Sequence, residues 1–168
     1  YPLSVLAGRR DIMRLMEDVF FSFTFGGETL SLAASLATMQ KLQREPVLAT
    51  IAERGRALLA GLKLLIERHR LDSCLATSGH PSWSFLNIKD TPDYSQWVIR
   101  TFMLQEMFAR GILWIGSHNL SYSHTREDID ALLNAYDETL SLLRGYITER
   151  TLESKLRCKP LEPLFRVR

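Results

Sequence analysis

Phe20-Phe21-Ser22-Phe23-Thr24-Phe25-Gly26-Gly27-Glu28-Thr29-Leu30-Ser31-Leu32-Ala33-Ala34 is the stretch around which the chain is organised. Aromatic rings lead to a hydroxyl, then to two glycines, then to an apolar segment of strong helix formers. The glycines are expected to let the backbone turn sharply and approach another group closely. A helix beginning at Glu28 opens with amide N–H groups that have no partner inside the helix, an arrangement that attracts anions. Thr24 stands close by with an O–H to add. The residues therefore predict a phosphate site, while Glu28 favours the helix dipole and repels a phosphate brought too near. Four phenylalanines in six positions predict an extended segment whose rings are buried, and an interface that covers them.

Working outward, Ile12, Leu15, Met16 and Val19 give residues 11–18 a short amphipathic helix. Leu30, Ala33, Ala34, Ala37 and Leu42, widened by Leu32, Leu36 and Met39, predict a helix from Glu28 to about Glu45 that is covered on more than one side. Pro46 opens a second helix, where its missing N–H costs nothing. Leu48, Ile51, Leu58, Leu62, Leu65 and Ile66 form its apolar stripe. After residues 71–73 the period changes, and Cys74–His80 and Trp83–Ile88 are predicted as strands. Thr91-Pro92-Asp93 is the expected start of the next helix, whose inner side holds Trp97, Phe102, Met103, Met107 and Phe108 and which ends at Arg110-Gly111. Ile112-Leu113-Trp114-Ile115 is predicted as a short buried strand. Thr125 and Asp128 then make a capping-box start for a last helix reaching about Arg150, with Ile129, Leu132, Leu133, Tyr136, Leu140, Leu143 and Ile147 inside. The tail, residues 151–168, contains Pro160 and Pro163 and is expected to run extended, packing through Leu161, Leu164 and Phe165.

This order predicts an α/β chain of α+β type, with a small sheet carrying helices on one face and long connecting helices before it. Its 168 residues, 46% hydrophobic, suffice for one sizeable core. A net charge of +2 argues against nucleic acid. Cys74 and Cys158 suggest neither a disulfide framework nor a metal site. No apolar run is long enough for a membrane span, and a cytoplasmic protein is expected.

Tyr1-Pro2-Leu3-Ser4, Ala7-Gly8-Arg9-Arg10-Asp11-Ile12-Met13, the Phe23–Ala34 segment, Gly111–Asp130 and the closing Arg157–Arg168 together resemble the class III pyridoxal-phosphate aminotransferases, in particular the glutamate-1-semialdehyde aminomutase-like branch. The resemblance implies the C-terminal portion of a fold-type I enzyme. It divides the chain into a remnant of the large cofactor-binding domain (1–27), connecting helices (28–70), a C-terminal small domain (71–150) and a tail (151–168). It also implies a homodimer that uses pyridoxal 5'-phosphate and moves an amino group on a small aldehyde, ketone or sugar-like substrate. Thr24 is then expected to bind the phosphate of the cofactor held by the opposite subunit, with Gly26 and Gly27 allowing close approach. At Glu28-Thr29 many members of the family have Asn-Pro instead.

The lysine that forms the Schiff base in that family would precede Tyr1. Lys41, Lys63, Lys89, Lys155 and Lys159 all read as surface charges, so no catalytic residue is assigned and the chain alone is expected to be inactive. His118, Asn119 and Tyr122, in the polar loop from Gly116 to His124, are the candidate substrate contacts. No arginine falls between Gly111 and Thr125, which speaks against a carboxylate clamp in that loop. The alternative to an enzyme segment is a non-catalytic dimerisation or interaction module.

Overall fold

The computed structural model describes residues 1, 3–20 and 23–163. They divide into two compact units, Tyr1–Val47 and Leu48–Arg168.

In the first unit, α1 (Arg10–Met13) passes directly into a 3-10 turn, Arg14–Glu17. The amphipathic helix expected over 11–18 is thus a broken one, and its apolar residues Ile12, Leu15 and Val19 are exposed. The aromatic run differs more. Residues 24–27 form a turn, and Phe20, Phe23 and Phe25 are exposed where burial was expected; Phe21 lies outside the described residues. Turning the chain at Phe23–Gly26, with the Gly26 N–H bonded to the Phe23 carbonyl at 3.3 Å, breaks the alternation a strand would need. α2 (Thr29–Arg44) follows where expected, but it is not covered on more than one side: Leu30, Leu32, Leu36, Met39 and Leu42 are exposed, and Ser31 is its one buried residue. Glu28 is its N-cap, accepting the Leu30 and Ser31 amides at 2.9 and 2.6 Å.

The second unit contains α3 (Val47–Arg68) from its second residue on, the hairpin β1 (Leu75–His80) and β2 (Trp83–Ile88), α4 (Gln96–Ala109), β3 (Ser117–Asn119) and α5 (Arg126–Glu149). The sheet is antiparallel, in the order β1-β2-β3, with Thr77 opposite Leu86 and Ser84 opposite His118. Ser84, Leu86 and His118 are buried while Trp83, Asn87 and Asn119 are exposed, so the core lies on one face. On that side Leu62, Leu65 and Ile66 of α3, Ile99, Phe102, Met103 and Met107 of α4, and Tyr136, Leu140 and Leu143 of α5 close over Leu75 and Leu86. Each such side chain contributes on the order of 1.5–3 kcal/mol by leaving water.

The capping box of α5 is present as expected: Thr125 Oγ1 accepts the Asp128 amide at 3.2 Å and the Asp128 carboxylate accepts the Thr125 amide at 2.7 Å. Replacing Thr125 with alanine orphans an amide and is expected to cost about 1 kcal/mol, read as a shift of the urea midpoint at unchanged m-value. The close of α4 at Arg110-Gly111 also holds, with the Ile112 and Gly111 amides returning to the Met107 and Phe108 carbonyls at 3.0 Å each.

Three expectations are corrected. α4 starts at Gln96 under a Ser95 cap, because Thr91 spends its hydroxyl accepting the Tyr94 amide in a local turn, at 2.9 Å. Ile112–Ile115 is not a strand; Trp114 is buried, but Leu113 and Ile115 are exposed, and the third strand forms at Ser117–Asn119. The tail is not extended throughout, since Leu152–Lys155 winds a 3-10 turn that buries Leu152. Further on, the Leu161 amide donates to Thr101 Oγ1 at 2.8 Å, and Leu164 and Phe165 lie outside the described residues.

One contact fixes α3 against the hairpin. A Cβ built on Gly55 would lie 1.9 Å from the Pro81 carbonyl oxygen, so only glycine permits this approach of helix to turn.

Candidate functional site

Two places carry the residues singled out from sequence, one in each unit. In the first, Thr24, Gly26 and Gly27 share one exposed turn just before α2. The Thr24 hydroxyl makes no hydrogen bond among the described residues. Neither glycine adopts the left-handed backbone, which in this chain's glycines is confined to Gly79, Gly111 and Gly116. The space differs at the two positions: a Cβ on Gly26 would come 3.0 Å from the Phe23 ring, and one on Gly27 would meet nothing within 4 Å.

The expected anion-binding helix end is not open. Glu28 supplies the anion itself, taking the Leu30 and Ser31 amides, and contact with Ser31 and with the Leu30 amide holds its carboxyl below the usual range. An external phosphate at this turn is left with the Thr24 hydroxyl and those turn N–H groups that are not already bonded, as the Gly26 amide is to the Phe23 carbonyl, beside a carboxylate. Those groups fit a phosphate; the first amides of α2 do not.

In the second unit the polar loop divides by burial. His118 on β3 is inward. Its Nδ1 lies 3.1 Å from Ser84 Oγ and its Nε2 lies 2.6 Å from the Tyr136 hydroxyl on α5. Burial pushes the imidazole down to about 4 and the Tyr136 phenol well above its ordinary value. Both groups are therefore neutral at pH 7. A neutral ring donates from one nitrogen and accepts at the other, so the bonds run in one sense along Tyr136, His118 and Ser84. Neither nitrogen is free to meet a substrate.

Asn119 is exposed beside Trp83. Tyr122 is half-buried, and its carbonyl accepts from Arg54 Nη1 at 2.9 Å. His124 Nδ1 accepts the Ser121 amide at 2.9 Å, which leaves the proton on Nε2. A cavity of about 370 Å³ between Gly111–Trp114, β3 and the start of α5 is lined by His118, Asn119, His124 and Asp128 among others, and not by Tyr122.

A residue that loop-by-loop reading passes over enters from α4. Arg100 Nη2 donates to the Ile115 carbonyl, which brings a guanidinium to the loop in which no arginine was found. The signal lay outside the loop, on α4, where Arg100 is half-buried between the fully buried Ile99 and the buried Phe102. All five lysines are exposed, and none lines either cleft of the second unit. Among the described residues no cluster of His, Cys, Asp and Glu is suited to a metal ion, and no helix is long and apolar enough to cross a membrane.

No family profile matches the chain. It is similar to the aminopentol aminotransferase of Sphingopyxis macrogoltabida, 29% identical over 149 residues that cover 87% of this chain and 34% of the relative. The glutamate-1-semialdehyde 2,1-aminomutase of Methanocella arvoryzae is 24% identical over 156 residues, 85% of this chain and 37% of that protein. The 3-aminobutyryl-CoA aminotransferase of Cloacimonas acidaminovorans is 24% identical over 144 residues, covering 84% and 34%. Among solved structures, the FumI protein of Sphingopyxis sp. MTA144 in its pyridoxal-phosphate internal aldimine form superposes with a TM-score of 0.71 at 24% identity, over 89% of this chain and 34% of FumI. The chain spans about a third of the length of the relatives it matches. By descent and by fold it is related to the pyridoxal-phosphate-dependent class III aminotransferases and glutamate-1-semialdehyde aminomutases.

Proposed function

We propose that this chain is the C-terminal segment of a pyridoxal-phosphate-dependent aminotransferase or aminomutase that moves an amino group on a small aldehyde, ketone or sugar-like substrate. The observation that carries the reading is similarity to two aminotransferases and an aminomutase over 84–87% of the chain. Residues 1–27 then belong to the cofactor-binding domain, 28–70 connect, and 71–150 form the small domain. Pyridoxal phosphate, when bound, supplies the electron sink for bond changes at an amino-bearing carbon.

The chain's own part is to hold the phosphate. In a homodimer, the Thr24 hydroxyl of one copy donates to the phosphate of the cofactor held by the other, with Gly26 and Gly27 keeping the turn free of side chains. The exposed rings of Phe20, Phe23 and Phe25, together with Leu30, Leu32 and Leu36, supply the apolar surface for that association. With every lysine exposed, the isolated chain turns over no substrate. The two cysteines are unpaired, which fits the reducing cytoplasm. The same exposed surface favours the second reading, a dimerisation module without catalysis.

The test is an amide-shift titration of the chain with pyridoxal phosphate and, separately, with pyridoxal. Pyridoxal phosphate is expected to shift the amides of residues 24–29 and pyridoxal to leave them in place. Thr24→Val weakens the effect about tenfold, the loss of one hydrogen bond to a charged group. Equal responses to both compounds, or an unchanged Thr24→Val titration, contradict the assignment.

A further inference from the structure

The cleft at the loop end of β2 points to a second binding site: we infer that Arg100 holds the carboxylate of a small, partly apolar molecule there. Nothing in this inference depends on amine transfer or on the Thr24 turn. A guanidinium has five N–H donors in a planar fork. One Arg100 nitrogen, Nη2, is committed to the Ile115 carbonyl. The remaining N–H groups meet no acceptor among the described residues, and no carboxylate lies within ion-pairing distance of Arg100 there. Most of the other arginines with an interaction in the second unit have an acidic partner: Arg68 with Asp137, Arg110 with Glu106 and Glu138, Arg150 with Asp93, Arg157 with Glu106.

The cleft, about 320 Å³, is lined by Phe85, Ile88 and Ile115 on its apolar side and by Asn87, Gln96 and Ser117 on its polar side, with Arg100 its single charged residue. Phe85, Asn87 and Ser117 stand on the sheet face away from the core. The Asn87 side chain is already oriented, its Nδ2 donating to Ser78 Oγ at 2.8 Å.

The loop is shaped to let the guanidinium in. Gly116 has φ of +102°, and a Cβ there would lie 2.9 Å from Arg100 Nη2. Its carbonyl is tied to the Leu86 amide at 3.0 Å, so the glycine is held in place from the sheet side. Stapling one carbonyl would not need a fork, and a lysine ammonium would serve. The fork suits a carboxylate, which accepts two parallel N–H bonds. A phosphate dianion calls for more positive charge than one guanidinium, and no second cation lines the cleft. The apolar wall then selects a carboxylate that carries a short hydrocarbon body over one that is polar throughout.

The experiment is an amide-shift titration of the 168-residue chain with butyrate, and separately with inorganic phosphate, at ionic strength held constant with chloride. Butyrate is expected to give saturable shifts at Asn87, Gly116 and Ser117. Arg100→Lys, which keeps the charge and removes the fork, weakens that binding about tenfold, while Arg126→Gln on exposed α5 leaves it unchanged. Ser117→Ala, which leaves the Ile115 staple intact, weakens binding a few-fold and keeps the question answerable if Arg100→Lys does not fold. Shifts that rise without a plateau overturn the inference. So does an unchanged midpoint in either cleft variant, or saturation by phosphate in preference to butyrate. Failure of the Thr24 titration leaves these outcomes untouched, because its amides lie in the other unit.

Discussion

Gly55→Ala is expected to destabilise the chain by about 3 kcal/mol, although alanine is the better helix former by about 1 kcal/mol. Gly55 sits inside α3, where helix propensity alone predicts that a methyl group helps. The structure places a built Cβ 1.9 Å from the carbonyl oxygen of Pro81, well inside van der Waals contact. The obstacle is backbone, and it belongs to the two-residue link between β1 and β2, which cannot rotate aside as a side chain would. Relief requires the hairpin to move away from α3, opening a gap beside Leu58 and Leu62, both fully buried. The measurement is urea unfolding followed by tryptophan fluorescence. A midpoint that falls at unchanged m-value supports the contact, and one that rises shows that α3 and the hairpin stand further apart than described.

The second large effect is a loss of stability in mild acid, traceable to His118. Its folded value is depressed by burial to about 4, against about 6.5 in an unfolded chain. Between those values the unfolded state binds the proton and the folded state does not, so protons favour unfolding. The contribution of the neutral, buried ring is complete above pH 6.5 and is lost as the pH falls toward 4. The difference amounts to about 3 kcal/mol. The buried bonds to Ser84 and Tyr136 make the same point geometrically, since a second ring proton requires the hydroxyl that donates to the ring to turn round and accept, giving up its own donated bond. His118→Gln is expected to flatten the profile between pH 6.5 and 4, leaving the carboxylates, Asp128 in its capping box among them, to titrate below. A parallel profile in wild type and variant would place the acid sensitivity elsewhere.

What sequence made legible follows from how local each signal is. The start of α5 was readable because Thr125 and Asp128 bond to each other's backbone, three residues apart, and its inner stripe because helical spacing is short-range. The strands 75–80 and 83–88 were readable within a residue from the change of period after residue 73 and the break at Pro81-Ser82. The start of α4 was misplaced because Thr91-Pro92 and Ser95 offer two valid caps four residues apart, and only the packing of Tyr94 decides between them. The third strand was set too early for a similar reason. Ile112–Ile115 is the apolar stretch, but Gly116 turns the chain at positive φ, so Ser117–Asn119 reaches the edge of β2.

At the candidate sites the divide is the same. Thr24, Gly26 and Gly27 do share a turn, a consequence of their adjacency. That Glu28 would take the helix's first free amides was foreshadowed only by its position as cap. His118 looked like a loop histidine until β3 turned it inward onto Tyr136, eighteen positions along the chain, and Arg100 became a cleft residue only through the fold. Such pairings join distant positions, and periodicity carries no record of them.

The central claim is that Thr24 reaches across a homodimer to the phosphate of a cofactor held by the neighbouring copy. A crystal structure of the dimeric protein with pyridoxal phosphate bound tests it directly. A phosphate oxygen is expected within hydrogen-bonding distance of Thr24 Oγ1 from the adjacent subunit. A phosphate gripped wholly by other residues, with the Thr24 hydroxyl facing solvent, would contradict it.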